Sequence, residues 1–276
     1  MVLYPAARVG ILYRRMKMRP LLMLSLLAAL LSACGLWSKS EDQTKDWSAS
    51  KLYSEARGAL NSGDYENAIK FYESLEARYP FGRYAQQALL DIAYAYYKFD
   101  EPDSAISACD RFIKTYPLHP NADYAYYLKG LVNFNRGMGL IERYLPVDAS
   151  ERDPATARQA FQDFSELLKR YPKSKYAEDA KQRMVYLLDS LARYEVHVAD
   201  YYMRRGAYVA AANRAKYVVE HYPRTPSVPD ALEIMVRAYH ILGLNGLARD
   251  SLRVLERSYP QHPAFAEAKR LMSRSG

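Results

Sequence analysis

The chain has 276 residues, of which 39 are Lys or Arg and 31 are Asp or Glu, giving a formal net charge of +8. Residues 1–33 hold five of the basic residues and no acidic ones, so residues 34–276 carry 34 basic and 31 acidic residues. A nucleic-acid-binding protein needs a concentrated basic face, and no such block is found, so the composition argues against nucleic acid as a partner.

The N-terminus has the pattern of a bacterial lipoprotein signal. Four basic residues at positions 14–19 precede an uncharged, mostly apolar run, LLMLSLLAALLSA, at residues 21–33. These 13 residues are too few to span a bilayer, which needs about 20, and the length is typical of a signal peptide. The run continues into Leu-Ser-Ala-Cys, the lipobox pattern, in which the Cys thiol takes a diacylglyceryl group. We therefore predict residues 1–33 as the signal peptide and Cys34 as the lipidated residue, which would also carry an N-acyl group.

An ordinary secretory signal, with Cys34 as a bystander, is the alternative interpretation. Translation could start at Met1, Met16 or Met18. Residues 34–46 are polar and aperiodic, so we predict a lipidated N-terminus followed by a flexible tether that reaches about 40 Å at most. If Cys34 is lipidated, Cys109 has no partner for an intramolecular disulfide, because the chain contains only two Cys.

Five Tyr-Pro pairs divide the rest of the chain, and each is preceded by the same pattern. An Ala lies twelve residues before each Pro, and a Leu, Phe or Val lies five residues before it. The prolines are Pro80, Pro117, Pro172, Pro223 and Pro260; the alanines are Ala68, Ala105, Ala160, Ala211 and Ala248. These are anchor positions of the tetratricopeptide repeat, a helix hairpin with a small residue where its two helices touch. A Pro cannot lie inside a helix without losing a hydrogen bond, so each Tyr-Pro ends the second helix of a hairpin.

We therefore predict residues 47–276 as an all-α periplasmic domain, a superhelix of five tetratricopeptide-like hairpins with a C-terminal capping helix. The predicted repeats are 47–80, 84–117, 121–172, 176–223 and 227–260, and the predicted cap is 264–272. Repeat three has extra residues at 136–153, which we expect to form a break or an irregular loop. Repeat four has no Gly or Pro between Tyr176 and Arg204, which predicts a first helix lengthened by about four turns.

The sequence contains no catalytic or metal-binding constellation. The five His are scattered and none forms a His-x-x-x-His pair, and Gly137-Met138-Gly139 follows no predicted strand and lacks the third Gly of a nucleotide-binding loop. His119 and His262 occupy corresponding turns, so we interpret them as turn surface rather than ligands. We predict that the protein is not an enzyme and holds no cofactor or metal.

Tyrosine is the most informative excess, with 26 in the chain. Four of these tyrosines are predicted on the first helices of repeats two and three, near Phe81 and Arg83; they are Tyr94, Tyr97, Tyr124 and Tyr127. Tyr and Arg dominate protein-binding hot spots, and first helices of such repeats line the inner face of the superhelix. The alternative is that these tyrosines fill the seams between helices.

Three segments are similar to the BamD (ComL) family, the lipoprotein component of the machinery that assembles β-barrels in the outer membrane of Gram-negative bacteria. They are RYPFGRYAQQALLDIAYAYYK, HPNADYAYYLKGL and YEVHVADYYMRRGAYVAAANRAKYVVEHYP. The resemblance covers essentially all of the chain after the signal. It implies a lipid anchor on the periplasmic side of the outer membrane and no catalysis.

The resemblance also implies partners. N-terminal repeats of the family receive unfolded outer-membrane proteins, which makes Tyr79, Phe81, Tyr84, Tyr94 and Tyr97 the candidates for substrate binding. The C-terminal half docks the β-barrel insertase subunit, through its periplasmic repeats, and a further assembly lipoprotein, which makes Arg205 and Arg214 the docking candidates. Arg214 could hold a partner carboxylate with two hydrogen bonds.

Two alternative functions stay open at this point. A periplasmic repeat lipoprotein that scaffolds cell-wall enzymes would share the lipobox and the repeats, without needing the tyrosine-rich first half. A lipoprotein hydrolase with a repeat domain would need a nucleophile and a base, which the sequence does not offer.

Overall fold

The structure, a computed structural model, describes residues 44–136 and 154–273. The predicted signal, Cys34, the tether up to residue 43 and residues 137–153 of the insertion lie outside these ranges. Within them, all regular secondary structure is α-helical, and one compact unit begins at Ser48. The helices are α1 (Ala49–Ser62), α2 (Tyr65–Arg78), α3 (Arg83–Lys98), α4 (Pro102–Thr115), α5 (Ala122–Asn135), α6 (Pro154–Arg170), α7 (Ala177–Arg204), α8 (Tyr208–His221), α9 (Val228–Ile241), α10 (Asn245–Ser258) and α11 (Pro263–Ser273).

These helices confirm the predicted all-α class, with five hairpins (α1/α2 to α9/α10) and α11 as the cap. Helix α7 has 28 residues, twice the 14 of its hairpin partner α8, and runs without a break. Residues 44–46, the last three of the predicted tether, form a turn in which the Trp47 N–H donates to the Thr44 carbonyl over 2.9 Å. None of the described helices is both long enough and apolar enough to cross a membrane.

Each Tyr-Pro ends its helix in the same way. The Tyr N–H still donates to the carbonyl four residues earlier, over 2.8 Å in all five cases. The Tyr itself has left the α-helical region, as at Tyr116, where φ is −129° and ψ is 57°. A following Pro disfavours the α-helical region for the Tyr, and the Pro then offers no N–H to continue the helix.

A second turn follows four of the five prolines and starts the next hairpin. The residue two positions after the Pro donates its N–H to the Tyr carbonyl; these residues are His119, Ser174, Thr225 and His262. The His119 Nδ1 accepts the Asn121 N–H over 3.1 Å, and the His262 Nδ1 accepts the Ala264 N–H over 3.3 Å. The two His residues are therefore bonded to the backbone at the start of the next helix, a role that the interpretation as turn surface missed.

The turn inside hairpins one, two, four and five contains a residue with positive φ; the connection inside the third lies outside the described residues. Gly63, Gly206 and Gly243 take it at φ of 82°, 74° and 73°, and Asp100 takes it at 67° in the second hairpin. In each case the next N–H donates to the carbonyl five residues earlier, the helix-ending pattern that favours Gly.

The repeat anchors form the core. The five alanines twelve residues before each Pro are all fully buried, and so are the Leu, Phe and Val residues five before it. Helices pack against their neighbours in sequence, and first helices also pack on the next first helix: α1 on α3, α3 on α5, α7 on α9 and α9 on α11. The first helices therefore share one face of the stack.

Candidate protein-binding surfaces

Asp91 on α3 organises the first-helix face of the N-terminal repeats. Its Oδ2 accepts the hydroxyl of Tyr53 over 3.0 Å and that of Tyr72 over 3.2 Å, and lies 3.3 Å from the Arg57 Nη1. Its Oδ1 accepts the Gln87 amide over 2.9 Å. Burial, together with the Asp91 carboxylate, raises the pKa of Tyr53 to about 12. Since the hydroxyl is bonded inward, the Tyr53 ring is held in one position on the surface.

Three of the predicted substrate residues lie at or just before the start of α3. Tyr84 is half-buried, with its ring centroid 5.4 Å from that of Tyr53 and its hydroxyl 3.3 Å from the Ser50 Oγ. Phe81 is 87% exposed, and Tyr79, which ends α2, is 38% exposed. Phe81 is therefore available to a partner, whereas Tyr84 is part of the packed face.

Tyr94 and Tyr97 lie near the C-terminal end of α3, four residues and one residue before Lys98, with ring centroids 6.2 Å apart. The Tyr97 hydroxyl accepts the Asn135 amide of α5 over 2.7 Å. Ten residues of helix separate Tyr84 from Tyr94, a rise of about 15 Å. The five predicted residues therefore do not form one cluster: they divide between the two ends of α3.

The face continues over α5 and α7 through residues that the substrate prediction did not include. The Tyr127 ring stacks on that of Tyr176, with centroids 4.6 Å apart and planes 12° apart. Its hydroxyl donates to the Asp179 Oδ2 over 2.6 Å, and Arg183 bonds the same oxygen over 2.6 Å. The Arg183 guanidinium lies 4.8 Å from the centre of the Phe134 ring. The excess of Tyr in the sequence pointed to Tyr127, but not to its partners on α7.

We call this surface the tyrosine face and define it by six half-buried tyrosines on α1, α3 and α5: Tyr53, Tyr84, Tyr94, Tyr97, Tyr124 and Tyr127. Several of their hydroxyls are bonded within the chain, while part of each ring stays exposed. Rigid, partly exposed Tyr rings beside Arg are typical of binding hot spots. Among the described residues, no group of His, Cys, Asp and Glu could hold a metal ion.

The two predicted docking residues differ in their surroundings. Arg205 follows α7, is exposed, and places its guanidinium 5.3 Å from the centre of the Tyr201 ring. The Arg214 Nη1 donates to the Glu195 Oε2 over 2.8 Å. Glu195 is only 1% exposed, and its other oxygen lies 3.4 Å from the Arg158 Nη2. This hydrogen bond raises the pKa of Arg214. The carboxylate that Arg214 holds therefore belongs to its own chain, not to a partner.

The amino-acid sequence matches the family YfiO, described as outer membrane lipoprotein, over residues 45–255. The chain belongs to the YfiO family. It is 48% identical to the outer membrane protein assembly factor BamD of Neisseria meningitidis serogroup A, over 91% of this chain and 95% of that protein. It is 42% identical to the BamD of Vibrio cholerae, over 78% of this chain and 88% of that protein.

These relatives confirm the resemblance to BamD. Because the YfiO-family relatives are assembly factors, they also confirm the prediction that the chain is not an enzyme. Among solved structures, the chain is similar to that of pilF from Pseudomonas aeruginosa, with a TM-score of 0.36 and 13% identity over 82% of this chain and 83% of that one.

Proposed function

We propose that the chain acts in outer-membrane protein assembly, and that its N-terminal repeats bind unfolded β-barrel proteins. The assembly role is supported by the family of outer membrane lipoproteins to which the chain belongs and by relatives that are named as assembly factors. The observation that supports substrate binding by the N-terminal repeats is the tyrosine face. Phe81, which is 87% exposed at the turn before α3, adds an apolar side chain beside that face. Together they suit an extended segment that carries aromatic side chains.

The proposed mechanism is binding without a chemical step. An unfolded β-barrel protein exposes strand edges that pair with other chains, so a surface that binds such a segment protects it from aggregation. The hydroxyls of Tyr53 and Tyr127 are already bonded to Asp91 and Asp179, so little side-chain entropy is lost when a segment binds over their rings.

The lipid on Cys34 would hold the captured segment close to the outer membrane, on its periplasmic side. Such tethering raises the local concentration of the segment at the insertion machinery without any new contact. The proposed partners of the C-terminal half are the β-barrel insertase subunit, through its periplasmic repeats, and other assembly lipoproteins. Arg205 is the exposed candidate for that contact, and Arg214 can contribute only the donors that Glu195 leaves unused.

The substrate site is tested with a synthetic peptide that carries the aromatic-rich C-terminal segment of an outer-membrane β-barrel protein. We expect the double variant Y94A/Y97A to weaken peptide binding at least tenfold in fluorescence anisotropy, because two adjacent ring contacts are lost. The matched control is Y217A, which removes a Tyr that is 36% exposed on the second helix α8. Equal affinities for Y94A/Y97A and the unchanged protein would contradict the proposed site.

The wider role is tested by purifying the tagged protein from native envelopes in mild detergent and identifying its partners by mass spectrometry. A large β-barrel protein with periplasmic repeats, at near-stoichiometric yield, is the expected result. Recovery of cell-wall enzymes in its place would favour the scaffold function and overturn the assembly role.

A further inference from the structure

A cleft of about 440 Å³ lies between α7 and the first half of α9, in the C-terminal half of the chain. Its volume is within the range of small-ligand sites, about 300–1,000 Å³. Four carboxylates line it together with Arg193, His197 and Arg237; they are Asp189, Asp200, Asp230 and Glu233. The acids outnumber the Arg residues by two, so the lining carries an excess of negative charge.

Glu233 is the unusual member of this lining. It is 8% exposed, and its Oε1 is buried and has no hydrogen-bond partner among the described residues. Its Oε2 is only 3.5 Å from the Arg237 Nη1, at the limit of a hydrogen bond. A buried carboxylate oxygen without a donor is costly, and such a group is rare in proteins unless something else satisfies it. The lining of the cleft therefore includes a carboxylate with one oxygen that no described residue satisfies.

The carboxylates of this lining suit an organic cation better than a metal ion. No group of acidic, His or Cys side chains in residues 44–136 and 154–273 has the arrangement of a metal site. The carboxylates come from two helices, Asp189 and Asp200 from α7 and Asp230 and Glu233 from α9. A guanidinium is planar, weakly hydrated and has five donors, so it can bond more than one carboxylate.

We propose that the cleft between α7 and α9 binds an arginine side chain of a polypeptide partner, with Glu233 among the carboxylates that hold it. This deepens the proposed function, and rests on it for the partner being a polypeptide. The site lies apart from the tyrosine face: it uses α7 and α9, and its contacts include none of the tyrosines that define that face.

The test uses the full chain in detergent and N-acetyl-arginine methylamide as the probe, with binding followed by ligand-observed NMR. The matched probe is the citrulline analogue, which has nearly the same shape but no charge. We expect the citrulline probe and the E233Q variant each to weaken binding at least tenfold. The control variant is E256Q, because Glu256 is exposed on α10 outside the cleft.

The affinity also depends on pH in a defined direction. Burial raises the pKa of Glu233 to about 7, so the carboxyl takes up a proton as the pH falls from 8 to 6. We expect the arginine probe to bind more weakly over that interval, because the neutral acid no longer attracts the cation. The charged and titratable groups around Glu233 are Asp189, Arg193, His197 and Asp200 on α7, Asp230 and Arg237 on α9, and Glu267 and Arg270 on α11.

Three results would overturn the proposal: equal binding of the arginine and citrulline probes, equal binding by E233Q and the unchanged protein, or tighter binding of the corresponding lysine probe. Displacement of the arginine probe by millimolar Mg²⁺ or Ca²⁺ would assign the cleft to a metal instead. Binding of the β-barrel peptide is measured on the same E233Q sample. Its retention separates a failure of the cleft from a failure of the proposed function.

Discussion

At the scale of single residues, three carboxylates with little exposure differ in how they are satisfied: Asp91, Glu195 and Glu233. Asp91 accepts hydrogen bonds from two Tyr hydroxyls and an amide, and Glu195 lies between Arg158 and Arg214. Both are satisfied within the chain and hold neighbouring helices in place. Glu233 has only Arg237, at the limit of hydrogen bonding, which is why it is the one of the three that suggests an outside ligand.

The pair Arg214–Glu195 leads to a prediction about docking variants. R214A leaves a carboxylate that is 1% exposed with Arg158 alone, so we expect the free energy of unfolding to fall by about 1–3 kcal/mol in urea titrations. The control R205A removes an exposed Arg and is expected to change it by less than about 0.5 kcal/mol.

A second variant separates structure from docking at this position. E195Q/R214A removes the uncompensated charge, so we expect it to regain part of the stability that R214A loses. If R214A and R205A are equally stable, the bond to Glu195 contributes nothing to the fold. If stability returns in E195Q/R214A while the partner is still lost on purification, Arg214 also contacts the partner.

At the scale of helices, one close contact explains a residue of the third repeat. A Cβ added at Gly130 on α5 would overlap the ring of Phe164 on α6, which is fully buried. Gly130 therefore lets the two helices of this hairpin approach closely. The ring that this Gly accommodates is that of Phe164.

We expect G130A to lower the free energy of unfolding by about 1–3 kcal/mol, because the methyl group forces α5 and α6 apart. The matched control is G58A: Gly58 lies inside α1, and a Cβ there meets nothing within 4 Å. Since Ala favours a helix by about 1 kcal/mol over Gly, G58A should raise the stability. The two variants are compared by thermal unfolding, and a G130A protein as stable as the unchanged one would contradict the close contact.

At the scale of the whole molecule, different surfaces of one helical stack have different chemistry. The N-terminal first helices carry aromatic rings, which suit an extended apolar segment, and the cleft between α7 and α9 carries carboxylates, which suit a cation. The lengthened helix α7 and the residue before it contribute to both: Tyr176 and Asp179 contact Tyr127, whereas Asp189 and Asp200 line the cleft.

The lipid anchor stays a prediction for the whole chain, and it rests on Cys34. We expect C34S to move the protein from the membrane fraction to the soluble periplasmic fraction, because no acyl chains can then be attached. Fractionation after a high-salt and urea wash, which removes partner proteins, provides the measurement. The control C109S changes the buried Cys of α4 and should leave the protein in the membrane fraction. A C34S protein that stays membrane-bound after the wash contradicts the anchor.

The sequence by itself determined the helical repeats. The spacing of Tyr-Pro, Ala and Leu or Phe positions is local information: a Pro ends a helix whatever surrounds it, and the periodic anchors define the buried side of each helix. The same reasoning predicted the long helix at residues 176–204, because no Gly or Pro interrupts its periodicity.

Only the tertiary structure decided which side chains meet across helices. Arg214 and Glu195 are 19 positions apart on different helices, and Tyr127 and Tyr176 are joined across an insertion, so no local pattern connects them. Those contacts depend on how each helix is rotated and how closely it packs. The cleft around Glu233 likewise exists only because α7 and α9 lie side by side, which brings residues 189–200 and 226–237 to the same place.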